Sequence, residues 1–221
     1  ALAAFPLNIT PPERESIENT GSASLWQEIA VGLRFIWGIG TLRVLFIVQF
    51  VMMFIAMPFS NFLPVWASDV LALNADGLGL LYSAAGIGAL LGTMLLATAG
   101  NVQRKGLLMF SVSVGMALAL LSLGASSLLP VSLVLLGLLG ATQSVFFAIN
   151  MTLVQSRVPD GLQGRVMSIY NVGHAMIAMG TLTIGFIVAA WGVQNAVTGM
   201  GMAVVALVII CFVSVPSLRR A

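Results

Sequence analysis

Residues 106–156 have the sequence GLLMFSVSVGMALALLSLGASSLLPVSLVLLGLLGATQSVFFAINMTLVQS, and none of these 51 residues carries a charge. A single α-helix of that length would extend about 75 Å, more than twice the roughly 30 Å hydrocarbon core of a bilayer. Gly124, two serines and Pro130 lie near its middle, in a combination typical of a turn. The stretch therefore predicts two membrane-spanning helices joined by a tight loop.

Other charge-free runs extend the same pattern along the chain. Two of these runs, residues 44–68 and 77–103, are each long enough for one span. A third run, residues 166–218, is long enough for two spans, and WGVQN at 191–195 interrupts it. Apolar residues occupy all faces of these segments, whereas the strands of a β-barrel would alternate apolar and polar residues. We predict an all-α polytopic membrane protein. Its six transmembrane helices are expected at about 44–67, 78–100, 106–126, 128–155, 165–190 and 194–216.

Composition supports a membrane location and limits the partners. The 221-residue chain is 59% hydrophobic and 7% charged, whereas a soluble domain carries about 25% charged residues. So few charges could not cover the surface of a soluble fold. Nine basic and seven acidic residues give a net charge of +2, and the basic residues are dispersed along the chain, so we expect a lipid bilayer as environment and no nucleic-acid partner.

The N-terminal part differs from the rest. Residues 1–24 include the polar segment TPPERESIENTGSAS and are expected to form a flexible linker. Residues 25–42 carry Leu25, Ile29, Leu33 and Ile36 at helical spacing, which predicts an amphipathic helix on the membrane surface. The alternative is an early extension of the first span. Residues 43–221 would then form the six-helix bundle.

The basic residues predict the orientation of the bundle. All nine precede the first span, follow the sixth, or lie in the loops between spans two and three and spans four and five. The remaining loops have none, and they contain Asp69 and Asp76. By the positive-inside rule, both ends of the chain are expected in the cytoplasm.

The few polar residues of the spans are candidates for a substrate cavity, because polar side chains in a bundle avoid lipid. Pro58 and Pro64 are expected to bend the first span, and His174 is the one ionisable side chain deep in a span and a candidate for proton coupling. Interhelical hydrogen bonds that only hold the bundle together are the alternative. The candidate cavity residues are Gln49, Met53, Gln143, Phe147, Asn150, Asn171 and His174.

Ala84, Gly88 and Gly92 are spaced by four, which predicts a helix face that another helix can approach closely. The same face would also suit self-association. The sequence shows no carboxylate pair in the spans, no His/Cys cluster with metal spacing, no phosphate loop and no Ser/His motif. We therefore expect no enzyme activity, no cofactor and no metal.

Three segments resemble the major facilitator superfamily, and within it the bacterial drug and siderophore exporters. LPVWASDVLALNADGLGLLYSAAGIGALLGTML (63–95) resembles the join of that family's helices seven and eight. VQSRVPDGLQGRVMSIYNVG (154–173) resembles its connection between helices ten and eleven. LWQEIAVGLRFIWGIGTLRVLF (25–46) resembles the end of its central cytoplasmic loop.

The resemblance implies the second six-helix half of a twelve-helix transporter in the bacterial inner membrane. The missing N-terminal half would complete a cavity near the bilayer midplane and supply proton-carrying carboxylates. Small amphipathic molecules such as drugs or siderophores would be exported with proton coupling. A non-transporting scaffold or subunit, uptake, and lipid movement are alternatives. Gln163 replaces a common arginine of the family, and GNVQRKG (100–106) lacks its usual acid.

The resemblance also implies a cytoplasmic gate. Arg165 and Asp160 would help to close it by docking on the missing half, and Asp160 could pair with either neighbouring arginine. The candidate gating residues are Arg104, Lys105, Arg157, Asp160 and Arg165.

Overall fold

The computed structural model describes residues 22–100 and 104–214, with side chains from Gln27 to Cys211. Over these residues the chain forms nine α-helices and no strand. The helices are α1 (Ser22–Gly38), α2 (Gly40–Ile55), α3 (Phe59–Asp69), α4 (Ala75–Thr98), α5 (Lys105–Gly124), α6 (Leu129–Gln155), α7 (Asp160–Val172), α8 (Ala175–Trp191) and α9 (Val193–Ser214).

Six segments are long and apolar enough to cross a bilayer, which confirms the predicted fold class. Four of them are the single helices α4, α5, α6 and α9, whereas α2 with α3 and α7 with α8 each form one interrupted span. The fifth span begins at Asp160 rather than near residue 165, because α7 starts immediately after Pro159. Proline fixes the backbone angle φ and commonly stands at a helix start.

The N-terminal helix differs from the predicted segment 25–42. It begins at Ser22, and it ends at Gly38 instead of continuing to residue 42. Ile39 has an extended backbone (φ −108°, ψ 106°) and stands between two glycines, which are poor helix formers. Helix α1 is therefore separated from the first span. Most of the predicted linker, residues 1–21, lies outside the described residues.

The core lies among α2, α5, α6 and α9, where residues such as Leu45, Met52, Leu120, Phe146 and Val204 are buried. Helices α4 and α8 each bury only a narrow face, α4 against α6 and α8 mainly against α2 and α9. Their remaining side chains are largely exposed apolar groups. These two helices thus present the broadest exposed apolar surfaces of the bundle.

Glycines allow α4 and α6 to approach to backbone contact. A Cβ atom added at Gly88 would overlap the carbonyl oxygen of Gly137, and one at Gly92 would stand 2.7 Å from Cα of Ala141. The carbonyl oxygen of Ala84 lies 3.6 Å from the position of a Cβ atom on Gly137. The face formed by Ala84, Gly88 and Gly92 therefore contacts α6 within the same chain.

Candidate functional site

The first span is broken where α2 ends at Ile55 and α3 begins at Phe59. Pro58 has no N–H to donate, and the N–H groups of Ala56 and Met57 both donate to the carbonyl of Met52, at 2.9 and 3.3 Å. The carbonyls of Met53 and Phe54 thus lose their helical donors. Pro64 lies inside α3 without ending it, so of the two prolines Pro58 is the one at the break.

The fifth span is also interrupted, by Gly173 and His174, between α7 and α8. Gly173 lies against the first span, because an added Cβ would stand 2.6 Å from the ring of Phe50. Gly180 contacts the carbonyl of Phe54, and its added Cβ would stand 2.8 Å from Pro58. At both breaks the backbone hydrogen bonds depart from the α-helical pattern. Such departures at membrane depth are stable only inside protein or beside a water-filled cavity, so the two breaks mark a candidate site.

Polar side chains from three other helices surround the break of the first span. Gln143 Nε2 of α6 lies 2.7 Å from the sulfur of Met57. The hydroxyl of Tyr82 on α4 donates to the carbonyl of Ser60 at 3.1 Å. On the α8 side, Asn61 Nδ2 donates to Oγ1 of Thr181 at 2.8 Å. Gln143 is among the residues predicted from the sequence, whereas Tyr82 and Thr181 are not, since an isolated hydroxyl in an apolar run carries no signal of its own.

A small cavity adjoins this break. It measures about 50 Å³, with Ser60, Tyr82 and Gln143 on its polar side and Met116, Leu120 and Leu136 among its apolar walls. That volume accommodates water, whereas pockets for drug-sized ligands measure about 300–1,000 Å³. A larger ligand at this position therefore requires the helices to separate.

Two buried amides lie between α2 and α6. Gln49 and Asn150 are both 0% exposed. Asn150 Nδ2 donates to the carbonyl of Leu45 at 3.3 Å, but Asn150 Oδ1 and both amide atoms of Gln49 have no partner within the described part of the chain. An unpaired buried polar group costs about 1–3 kcal/mol.

Gln49 belongs to a row of side chains on the first span. Leu45, Gln49 and Met53 are spaced by four and share one face of α2, and Met57 follows four residues later, in the break after Ile55. Asn150 contacts the first member and Gln143 contacts the last, so α6 runs along the whole row. Phe147, between those two residues on α6, is half-buried and packs edge-on against Phe146. We call this surface the amide row: Gln49, Met53, Met57, Gln143 and Asn150.

The structure does not bring Asn171 and His174 into the amide row. Both are exposed, and the ring Nδ1 of His174 lies 3.1 Å from the carbonyl of Asn171 in the same span. The fifth span buries the opposite side, which includes Val166, Ile169 and Tyr170. A spacing of three placed Asn171 and His174 close together, but it could not determine which side of the helix faces the bundle.

The predicted gating residues lie near α1, at the start of α7 and before α5. Arg165 Nη2 is 3.7 Å from Glu28 Oε1 of α1, with the two side chains 40% and 49% exposed. Asp160 Oδ1 accepts a hydrogen bond from Gln163 Nε2 at 3.2 Å, so among the described residues Asp160 does not pair with Arg157 or Arg165. A half-exposed ion pair contributes less than about 1 kcal/mol.

Glu28 was not among the predicted gating residues, because it lies far from Arg165 in sequence. The contact depends on Gly32, where an added Cβ would stand 2.7 Å from Cδ1 of Ile169 and 3.5 Å from the carbonyl of Arg165. Arg157 keeps Nη1 buried without a described partner. Helix α1 is thus seated on α7, next to the start of the fifth span.

A sequence profile of the Major Facilitator Superfamily matches residues 1–181 and, in a second alignment, residues 45–220. The chain belongs to the Major Facilitator Superfamily. It is therefore an integral membrane protein of a transporter superfamily. The six apolar segments of membrane-spanning length among the described residues agree with a membrane location.

Curated members of the superfamily include exporters similar to this chain. The enterobactin exporter EntS of Citrobacter koseri is 28% identical over 154 residues, covering 67% of this chain and 36% of that protein. The multidrug efflux pump Tap of Mycolicibacterium fortuitum is 26% identical over 194 residues, covering 87% and 47%. EntS of Salmonella typhimurium is 25% identical over 144 residues, covering 62% and 34%.

These matches confirm the resemblance to drug and siderophore exporters of the Major Facilitator Superfamily. The chain spans less than half the length of the curated relatives reported above. No solved structure shows a significant match to it.

Proposed function

We propose that this chain forms one half of an exporter that moves small amphipathic molecules across the bacterial inner membrane by alternating access. The amide row carries the proposal. A bundle selected for stability alone would fill the buried positions of Gln49 and Asn150 with apolar side chains, which avoid the cost of unpaired polar atoms. Amides that are unpaired in a closed bundle are suited to binding a polar group when the helices separate.

The breaks in the first and fifth spans support movement at this place. The Phe54 carbonyl is freed by Pro58, and it faces Gly180 instead of a helical donor. Discontinuous helices near the middle of the bilayer commonly form the binding sites of transporters. A hinge at Ala56–Pro58 would change the spacing between the two ends of the amide row.

The exposed faces of α4 and α8 support a second half as partner. Leu90 and Met94 of α4 are 66% and 62% exposed, and Leu182 and Phe186 of α8 are 68% and 77% exposed. The chain also covers only 36–47% of the first two relatives. We propose that an N-terminal six-helix half covers these faces, completes the cavity and carries the acidic residues for proton coupling.

The substrate class follows from the chemistry of the amide row. Amides provide hydrogen-bond donors and acceptors, while Met53, Met57 and the nearby Phe147 provide adaptable apolar surface. This mixture suits molecules with both aromatic and polar parts, which include catecholate siderophores and many drugs. Exporters of enterobactin and of multiple drugs are among the relatives, which agrees with this class.

Efflux in a strain without its own exporters tests the proposal. The natural protein that contains this chain would be expressed, and the accumulation of enterobactin, a macrolide and ethidium measured with and without a protonophore. We expect lower accumulation of at least one compound and loss of that effect with the protonophore. Unchanged accumulation of all three would reject export, and greater accumulation would favour uptake.

The orientation of the bundle gives a separate prediction. Cys211 is the single cysteine of the chain, so Cys211→Ala gives a background free of thiols over these 221 residues. In that background a cysteine at Asp76 is expected to react with a membrane-impermeant maleimide in intact cells, because its loop lacks basic residues. A cysteine at Lys105 is expected to react only after permeabilisation. The reverse pattern would show the opposite orientation.

We also propose that Arg165 is a gate residue rather than only a topology anchor, since its ion pair with Glu28 connects α7 to α1. Arg165→Ala is expected to lower the efflux rate while leaving membrane insertion and the labelling pattern unchanged. Arg34→Ala, at an exposed arginine of α1 with no ion pair among the described residues, is the matched control. Full transport by the Arg165→Ala protein would leave the residue only a topological role.

A further inference from the structure

A groove on the outer surface of the bundle lies between α4, α5 and α6. Its volume is about 250 Å³, and its walls include Leu95, Leu96 and Ala99 of α4, Leu108 and Val112 of α5, and Val145 of α6. The hydroxyl of Thr142 on its floor bonds to the carbonyls of Leu138 and Leu139 in its own helix, at 2.8 and 3.1 Å. The groove therefore offers an occupant almost only apolar contacts.

Two positive charges lie at one end of this groove. Arg104 immediately precedes α5, and it is spaced by four from Leu108, which is spaced by four from Val112. Leu108 and Val112 share a face of α5. Arg104, whose carbonyl accepts a hydrogen bond from the N–H of Leu108 at 3.1 Å, stands at the N-terminal end of that face. Lys105 follows directly. The groove thus ends at a basic pair in the loop between the second and third spans.

The charges of this pair have no acidic partner among the residues that the structure describes. Neither Arg104 nor Lys105 forms an ion pair within residues 22–100 and 104–214. The sequence contains no aspartate or glutamate between Asp76 and Asp160, a segment that includes all of α5 and α6. An anionic group at the end of the groove would therefore meet two cations and no acidic side chain from the helices that form it.

We propose that the groove binds one acyl chain of an anionic phospholipid from the bilayer, with the lipid phosphate at Arg104 and Lys105. Basic pockets between transmembrane helices bind anionic lipid headgroups, and the surrounding bilayer supplies the ligand. A neutral lipid would fill the apolar walls equally well but would gain less from the basic pair. The site lies outside the amide row and does not depend on the proposed transport.

Native mass spectrometry of the purified natural protein tests the site. The probes are phosphatidylglycerol and phosphatidylcholine with identical acyl chains, added to protein in a neutral detergent. We expect preferential retention of phosphatidylglycerol, and about a thirtyfold loss of that preference in the double variant Arg104→Gln, Lys105→Gln, since each cation near an anionic lipid surface contributes about fivefold to binding. Arg43→Gln, at an exposed arginine of α2 away from the groove, is expected to retain both lipids normally.

A second set of variants tests the apolar part. Val112→Phe fills the groove and is expected to reduce retention of both lipids, and Ala99→Leu serves the same purpose if Val112→Phe fails to fold. Unchanged phosphatidylglycerol retention in a folded groove-filled variant would overturn the proposal, as would equal retention of the two lipids by the unaltered protein. Failure to retain either lipid, as expected if a protein surface covers the groove, would also overturn it.

Discussion

Replacing Gly88 with alanine is expected to destabilise the protein by about 2–3 kcal/mol, near the upper end of the usual effect of overpacking. The added methyl group would overlap the backbone carbonyl of Gly137, which cannot rotate away as a side chain can. Helices α4 and α6 would have to separate along their whole contact. The apparent melting temperature in detergent should fall by about 5–10 °C, given the usual scaling for chains of this size.

Gly86→Ala is the matched control for this prediction. Gly86 lies on the same helix two residues earlier, and a Cβ atom there would have no neighbour within 4 Å. Alanine is a better helix former than glycine, so this variant should be unchanged or more stable by up to about 1 kcal/mol. Equal melting temperatures for the Gly88→Ala and Gly86→Ala proteins would contradict the close approach of α4 and α6.

Replacing Gln49 with methionine is expected to change stability and transport in opposite directions. Methionine has a similar shape and no amide, so the loss of two unpaired buried atoms should stabilise the closed bundle by about 1–3 kcal/mol. If Gln49 binds the polar part of the substrate, efflux should fall by about tenfold, since one hydrogen bond contributes about 1 kcal/mol or somewhat more. The measurements are the melting temperature and the initial efflux rate.

Ser132→Ala separates the two effects. The Ser132 hydroxyl is also fully buried without a described partner, but it lies near the start of α6 and outside the amide row. Its removal should stabilise the protein without altering efflux. Loss of stability in the Gln49→Met protein would mean that the amide has a structural partner, and unchanged efflux would remove Gln49 from the proposed substrate site.

The number of spans and their helical structure could be predicted from the sequence, because charged residues are absent over lengths that match the thickness of the bilayer. The break at Pro58 was also foreseeable, since proline lacks the N–H that a helix interior requires. The interruption at Gly173 and His174 was not, because both residues keep helical backbone angles and the effect depends on Phe50 of another span.

The candidate site was predicted only in part, because periodicity identifies residues that share a face but not what that face meets. Gln49 and Asn150 were chosen as polar residues and lie buried between α2 and α6. Asn171 and His174 were chosen by the same criterion, but they are exposed on the fifth span. The contact of Glu28 with Arg165 required the position of α1, which no local pattern determines.

Helix α4 pairs with α6, which comes two helices later in the chain, and this order has a consequence for synthesis of the chain. The ribosome adds 57 residues between Thr98, the last residue of α4, and Gln155, the last residue of α6. At about 5–20 residues per second, α4 spends roughly 3–11 s without the neighbour that covers its glycines. During that interval its small-residue face must be covered by lipid or by the insertion machinery, so α4 is open to mispairing during biogenesis.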